Sequence, residues 1–94
     1  MDTKKFRICV TVKGVVQGVG FRWYVQRHAE RIGLRGFVKN LYNGDVYAEA
    51  EGDEALLKDF ISTIKRGPSG SHVTDTIVSW SDSKNEFNFF EIRH

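Results

Sequence analysis

A glycine-rich stretch near the N-terminus, KGVVQGVGFRWYV at residues 13–25, holds the first residues whose types and spacing suggest chemistry. Gly14, Gly18 and Gly20 fall within seven residues, and Arg22 follows where a helical spacing of apolar residues begins. Glycines allow backbone angles that turn successive N–H groups toward one point, and a helix N-terminus adds unpaired N–H groups and a partial positive charge. The stretch therefore predicts an oxyanion-binding loop that leads into a helix.

Arg22 is unfavourably placed for the stability of that helix. A cation in the first turn opposes the helix dipole, at a cost of about 0.3–1 kcal/mol. A bound phosphate would reverse the sign of this effect, because a guanidinium matches phosphate oxygens with two parallel hydrogen bonds. Local conflicts of this kind are typical of functional positions. Judged on the loop alone, a tight turn beside a solvated arginine is an equally good interpretation.

The rest of the chain predicts the elements that would position this loop. Alternating apolar and polar residues, with turn signals between them, predict strands at 6–13, 35–42, 45–51, 72–81 and 87–92. Apolar residues three and four positions apart predict helices at 21–33 and 53–66. The order β-α-β-β-α-β with an extra strand predicts an α+β, ferredoxin-like sandwich. Two helices would lie on one face of a four- to five-stranded antiparallel sheet.

This topology brings Asn40 close to the glycine loop. Strands 6–13 and 35–42 would belong to one β-α-β unit, so they would run parallel and end at the same edge of the sheet. Asn40 lies near the end of the second strand, although 18 positions separate it from Arg22. Together these groups would form a site with main-chain N–H donors, one arginine and one amide. Such a site is suited to binding and hydrolysing a reactive phosphate ester or anhydride, since phosphoryl transfer depends mainly on positioning and charge stabilisation. Water held in line by Asn40 could attack the phosphorus.

Composition and motifs exclude several other classes. The 94 residues are expected to form a single domain, 1–94, and the net charge of +2 is not the footprint of a nucleic-acid module. A single cysteine, Cys9, excludes an internal disulfide and makes the cytoplasm the expected location. The chain has no apolar run of the roughly 18 residues that span a membrane. It lacks a Walker pattern, zinc-type Cys/His spacing and an acidic cluster near the loop, so no metal or cofactor is expected.

Two segments resemble the signature segments of the acylphosphatase family. GVVQGVGFR at 14–22 is similar to G-x-V-Q-G-V-x-[FY]-R. GFVKNLYNGDVYAEAEG at 36–52 is similar to G-[FYW]-V-[KR]-N-x-x-x-G-x-V-x-x-x-x-x-G. The resemblance extends over essentially the whole chain. It implies hydrolysis of small acyl phosphates to a carboxylate and inorganic phosphate, without metal or cofactor, on a ferredoxin-like fold.

The resemblance also assigns roles to individual residues. It implies that Arg22 binds the phosphate, that Asn40 orients the attacking water, and that a substrate phosphate oxygen takes the proton without a phosphoenzyme. Val15 stands where the family often has arginine, and Phe37 and Asn43 replace a frequent tryptophan and aspartate. The phosphate cradle is implied on the main-chain N–H groups of Val15, Val16, Gln17, Gly18, Val19 and Gly20.

Several neighbouring side chains are expected to have structural roles. Gln17 is expected to brace the loop with its side chain rather than to touch the phosphate. Trp23 and Tyr24 are expected to pack in the core or at the rim of the pocket. His28 is expected to be a surface residue, and Lys39 should point to the face of the sheet opposite Asn40.

The implied substrate is a small acyl phosphate, and inorganic phosphate or a similar anion is implied as product or inhibitor. Neither nucleic acid nor a membrane is expected as a partner. The chain is expected to be a monomer. One alternative is a non-catalytic domain that binds phosphate or carbamoyl phosphate, like the N-terminal part of hydrogenase-maturation carbamoyltransferases. Because the chain ends at His94 without zinc-finger cysteines, a stand-alone enzyme is favoured. An RNA-binding ferredoxin-like domain fits poorly, since the central strands offer Cys9, Thr11, Tyr47 and Glu49 rather than exposed aromatics.

Overall fold

The computed structural model describes residues 4–94, which form five strands and two helices. In chain order these are β1 (Lys5–Val15), α1 (Phe21–Ile32), β2 (Arg35–Asn40), β3 (Val46–Asp53), α2 (Glu54–Arg66), β4 (His72–Asp82) and β5 (Phe90–Arg93). The strands form one sheet in the order β4-β1-β3-β2-β5, and both helices pack on the same face of it. Strands β1 and β2 each pair antiparallel with β3, so they run parallel to each other, as predicted.

The sheet is mixed, whereas the sequence predicted an antiparallel one. Strand β5 pairs in parallel with β2, with Gly36 opposite Phe90 and Val38 opposite Ile92. The chain leaves β4 at one edge of the sheet and reaches β5 at the other edge through residues 83–89, here called the crossing segment. Alternation of apolar residues identifies the buried face of a strand but carries no information about its partner or direction, so the sequence did not indicate that this one pair is parallel.

The core lies between the sheet and the two helices, as the apolar patterns predicted. Phe21 at the start of α1 is only 2% exposed, so its burial anchors the first turn of this helix against the sheet. The other main contributors are strand residues and apolar helix residues: Ile8, Val10, Val12, Val38, Val46, Ala48, Ala50, Val25, Ala29, Leu57, Phe60 and Ile64. Neither helix within residues 4–94 is long and apolar enough to cross a lipid bilayer.

The element boundaries differ from the predictions by up to three residues, and two of the differences concern the glycine loop and the last strand. Strand β1 continues through Gly14 and Val15, which were predicted to lie in the loop, and its register with β4 shifts between Lys13 and Gly14. A Cβ atom on Gly14 would lie 2.0 Å from the His72 carbonyl oxygen, so this glycine serves close strand packing. The last strand begins at Phe90 rather than at residue 87. The glycine loop is therefore residues 16–20.

The crossing segment covers part of the sheet face opposite the helices. Glu51 lies on that face, where the alternation of β3 leads one to expect an exposed side chain, but it is only 1% exposed. Its carboxylate accepts hydrogen bonds from the main-chain N–H groups of Lys84 at 2.7 Å and Glu86 at 3.3 Å. Arg7 contacts the same carboxylate. Burial by itself lowers the pKa of Arg7. The hydrogen bond to Glu49 and the negative charges of Glu49, Glu86 and Glu51 outweigh that effect, so the pKa of Arg7 is raised. Charge pairing thus attaches the crossing segment to the sheet and brings β5 to its edge.

Candidate active site

Residues from three separate parts of the chain line one pocket at the end of the sheet where β1 and β2 finish. Gly18 and Gly20 come from the glycine loop, Arg22 from the first turn of α1, and Asn40 from the end of β2. The pocket has a volume of about 310 Å³ and is open on one side. The convergence expected from the β-α-β order is therefore present in the structure.

The glycine loop presents a row of unpaired main-chain donors. Gly18 and Gly20 both have φ of +75°, and Gly20 is the left-handed N-cap of α1, without a side-chain hydrogen bond to cap the helix. The first helical hydrogen bond runs from the Tyr24 N–H to the Gly20 carbonyl at 3.0 Å. In the described part of the chain, no main-chain N–H from Val16 to Trp23 donates to a main-chain carbonyl. These donors and the positive end of the helix dipole form a site suited to a multiply charged oxyanion.

Arg22 is a half-buried guanidinium beside this row of donors. The first turn of α1 contains no acidic side chain, and no carboxylate in residues 4–94 forms an ion pair with Arg22. Its Nη1 lies 3.4 Å from the Arg93 carbonyl oxygen and 3.2 Å from the His94 Nδ1. These two contacts orient the guanidinium but do not neutralise its charge, so the charge is available to an anion in the pocket.

Asn40 provides an uncommitted amide on the other side of the pocket. It lies on the same face of β2 as the fully buried Val38, so its side chain points toward the helices, and Lys39 points to the opposite face as expected. None of the hydrogen bonds among residues 4–94 uses the Asn40 side-chain amide. An amide carries both donors and an acceptor, so Asn40 can hold a water and present it to a group bound in the loop.

Gln17 fastens the glycine loop to the turn that follows Asn40. Its Nε2 donates to the Leu41 carbonyl oxygen at 2.7 Å and to the Asp45 carbonyl oxygen at 2.8 Å. The turn itself is closed by the Leu41 N–H, which donates to the same Asp45 carbonyl at 2.8 Å. The expected bracing role of the Gln17 side chain is confirmed. These bonds hold the loop at a fixed distance from the end of β2.

Val15 and Val19, which were implied to belong to the phosphate cradle, lie outside the pocket lining, and the aromatic residues at the start of α1 lie at its edge or behind it. Val15 is the last residue of β1, opposite His72, and its side chain is 58% exposed, so the row of free donors begins one residue later. Neither Val15 nor Val19 lines the pocket with its side chain. Trp23 lies at the rim and is 59% exposed, whereas Tyr24 packs against Phe21 and donates to the Thr63 carbonyl at 2.9 Å.

His94 also lines the pocket, although no pattern in the sequence predicted it. It reaches the site because β5 pairs with β2, and this long-range pairing leaves no local signal near His94 itself. Among residues 4–94, no group of three His, Cys, Asp or Glu side chains comes close enough to hold a metal ion. The pocket is lined by main-chain N–H groups and by the guanidinium of Arg22, the amide of Asn40, the imidazole of His94 and the indole of Trp23.

Replacing Gln17 with leucine should weaken anion binding and stability together. The substitution removes two hydrogen bonds, so the free energy of unfolding should fall by about 1–3 kcal/mol. The loop would lose its tie to the turn after Asn40, and the affinity for inorganic phosphate should fall about tenfold, equivalent to ~1.4 kcal/mol. Urea unfolding and titration calorimetry with phosphate measure the two effects.

The matched control for this experiment is Gln26→Leu. Gln26 is also half-buried but lies within α1, and no side-chain hydrogen bond in the described chain involves it. Gln26→Leu should leave the phosphate affinity unchanged. Unaltered phosphate affinity in Gln17→Leu would show that the loop keeps its position without this brace.

Comparisons with known proteins point to one family. A family model described as Acylphosphatase matches residues 8–92. The acylphosphatase of Geobacter sulfurreducens is 39% identical over 90 residues, which cover 96% of this chain and 99% of that protein. The crystal structure of acylphosphatase from Bacillus subtilis superposes with a TM-score of 0.92 at 40% identity, covering 95% of this chain and 99% of that one. Full-length HypF in its phosphate- and nucleotide-bound form matches with a TM-score of 0.86 at 31% identity, over 100% of this chain and 12% of that one.

Proposed function

The chain belongs to the acylphosphatase family, and from this premise we propose how its pocket carries out the reaction. As a member of the family it is an enzyme that hydrolyses small acyl phosphates. One observation carries the assignment of roles to residues: the glycine loop and the first turn of α1, whose main-chain N–H groups are unpaired from Val16 to Trp23, line one pocket with Asn40. The phosphoryl group of the substrate binds in the glycine loop, and the acyl group points toward the open side of the pocket.

Binding of the phosphoryl group relies on the loop and on Arg22. Main-chain N–H groups of residues 16–20 and of the first turn of α1 donate to the non-bridging phosphate oxygens. Arg22 donates two parallel hydrogen bonds to the same group. The positive end of the helix dipole and the guanidinium stabilise negative charge, which spreads over these oxygens in the transition state.

Hydrolysis proceeds by direct attack of water on phosphorus. Asn40 holds the water opposite the acyl oxygen, so that the attacking and leaving oxygens are in line. The bond from the water oxygen to phosphorus forms while the bond from phosphorus to the acyl oxygen breaks, and its electron pair leaves with the carboxylate. A non-bridging oxygen of the substrate phosphate takes the proton of the water. A carboxylate is a good leaving group, so the reaction needs no general acid from the protein.

Inorganic phosphate, the second product, retains the charge that the loop recognises, so it is expected to compete with the substrate.

We further propose that the chain acts as a monomer of one domain, 1–94, in the cytoplasm. The proposed compartment is inferred from the single cysteine, Cys9. The likeness to HypF supports a second candidate, a phosphate-binding domain without its own turnover. An assay of the purified chain separates the two.

The test is hydrolysis of benzoyl phosphate by the wild-type chain in excess EDTA, followed by ultraviolet absorbance. We expect turnover at the same rate with and without chelator, and much slower turnover of p-nitrophenyl phosphate, whose phenolate is a poorer leaving group than a carboxylate. Binding of phosphate without turnover of benzoyl phosphate would support the second candidate. Loss of activity on chelation, with recovery on adding Mg²⁺, would contradict a metal-independent reaction.

A further inference from the structure

A second pocket adjoins the active site along α1. Its volume is about 360 Å³, and it lies between α1 and the C-terminal end of α2. Trp23 lines both pockets and forms the boundary between them. Arg27 and Arg31 of α1 and Arg66 of α2 are among the other lining residues, so we call this pocket the arginine groove.

The positive charge of the arginine groove is not neutralised within the described protein. None of Arg27, Arg31 and Arg66 forms an ion pair with a carboxylate of residues 4–94. Asp59 is engaged instead by His28, whose Nε2 lies 2.8 Å from the Asp59 Oδ2. Arg27 and Arg31 are four residues apart on one helix, a spacing at which like charges repel each other. An anionic ligand would remove this repulsion.

The positive charge of the arginine groove lies next to the active site, because Arg27 contacts Trp23. The Arg27 guanidinium carbon lies 4.8 Å from the centre of the Trp23 ring, so this charge stands at the boundary between the two pockets. Arg66 lies on the α2 side near Tyr24. Burial raises the pKa of the Tyr24 hydroxyl, and the charge of Arg66 partly opposes that rise. The groove is thus bordered by cations from two helices.

We propose that the arginine groove binds the second anionic group of a substrate whose acyl part ends in a carboxylate or a phosphate. The proposal rests on the proposed function, because it needs the phosphoryl group in the glycine loop. From there the acyl group would pass Trp23 and reach Arg27. Arg27 lies about 7.5 Å beyond Arg22 along the helix axis. Its side chain leans back over the Trp23 ring, toward the helix N-terminus, which shortens the distance that a four-carbon acyl phosphate must span. The small volume of the groove, about 360 Å³, and the chain's net charge of +2 fit a small dianion better than a polymer.

Two substrates with equal chain length isolate the contribution of the distal charge. Succinyl phosphate ends in a carboxylate where butyryl phosphate ends in a methyl group. We expect the wild-type enzyme to show a kcat/KM about tenfold higher for succinyl phosphate at low ionic strength, and a smaller preference in added salt, which screens exposed charges. The preference for succinyl over butyryl phosphate is the quantity to measure.

The double variant Arg27→Gln/Arg66→Gln should reduce this preference by about three- to tenfold, the effect of removing two partly exposed charges. Lys65→Gln is the control, because it removes a charge next to Arg66 on α2 but lines a different pocket. We expect Lys65→Gln to keep the wild-type preference. An unchanged preference in the double variant, or an equal loss in the control, would overturn the proposal.

Inhibition by inorganic phosphate distinguishes a substrate subsite from a site for free phosphate. If the double variant keeps the succinyl preference but binds phosphate more weakly, the groove holds free phosphate and the proposal is wrong. If the double variant loses the preference and is inhibited by phosphate as strongly as wild type, the proposal is supported. Absence of turnover of either acyl phosphate by the wild type would instead contradict the proposed function.

Discussion

Replacing Arg22 with glutamine is expected to lower kcat/KM for benzoyl phosphate by about 10³–10⁵-fold, the range found when a transition-state arginine is removed in phosphoryl transfer. Glutamine keeps a polar side chain of moderate length but loses the charge and the paired donors. Arg22 has no carboxylate partner among residues 4–94, so its loss leaves no opposite charge behind in the protein. The loss therefore reports interaction with the substrate rather than damage to an ion pair.

Stability should respond in the opposite direction to activity. Removing a cation from the first turn of α1 relieves its conflict with the helix dipole, so the free energy of unfolding should rise by about 0.3–1 kcal/mol. Arg22→Lys keeps the charge without the paired donors, so its kcat/KM should lie between those of wild type and glutamine variant. Urea unfolding and steady-state kinetics on the same samples measure both quantities.

The control for Arg22 is Arg35→Gln, at the opposite end of β2 from Asn40. This variant loses the same charge far from the glycine loop and should keep wild-type kinetics. If Arg22→Gln retained more than about one tenth of the wild-type kcat/KM, a cost below ~1.4 kcal/mol, Arg22 would not have the proposed role. Loss of activity accompanied by unfolding would show a structural role instead.

Replacing Asn40 with alanine is expected to lower kcat by about 10²–10³-fold, a loss comparable to that from removing one transition-state hydrogen-bond donor. The amide makes no hydrogen bond to the described protein, so truncation should not disturb the fold. Because the loop and Arg22 remain, affinity for inorganic phosphate should change by less than about threefold, or ~0.6 kcal/mol. A large effect on kcat with little effect on binding is the signature of a group that positions water.

Two further variants sharpen the test of Asn40. Asn40→Asp conserves the shape but adds negative charge beside the phosphoryl group, so it should weaken phosphate binding as well as kcat. Asn88→Ala truncates an exposed asparagine of the crossing segment and should behave as wild type. A parallel loss of phosphate affinity and kcat in Asn40→Ala would mean that Asn40 binds the phosphate directly and would contradict its role as the water-positioning residue.

The sequence by itself determined the elements and most of the residues that line the candidate site. Alternation and helical spacing identified both helices and all five strands, because one face of each element must be buried. The chain order of β1, α1 and β2 brought Arg22 and Asn40 together, since a β-α-β unit has only one common geometry. Glycines at positions 18 and 20 indicated backbone angles that other residues rarely adopt, and both have φ of +75°.

Only the tertiary structure decided features that depend on contacts between distant segments. Strand β5 pairs with β2, and this pairing brings His94 against Arg22, although nothing near His94 in the chain indicates it. Glu51 is buried because the crossing segment lies over it. Arg27 and Arg66 border one groove because α1 and α2 pack side by side. Local patterns record which face of an element avoids water, whereas its partners are selected by the packing of the whole chain.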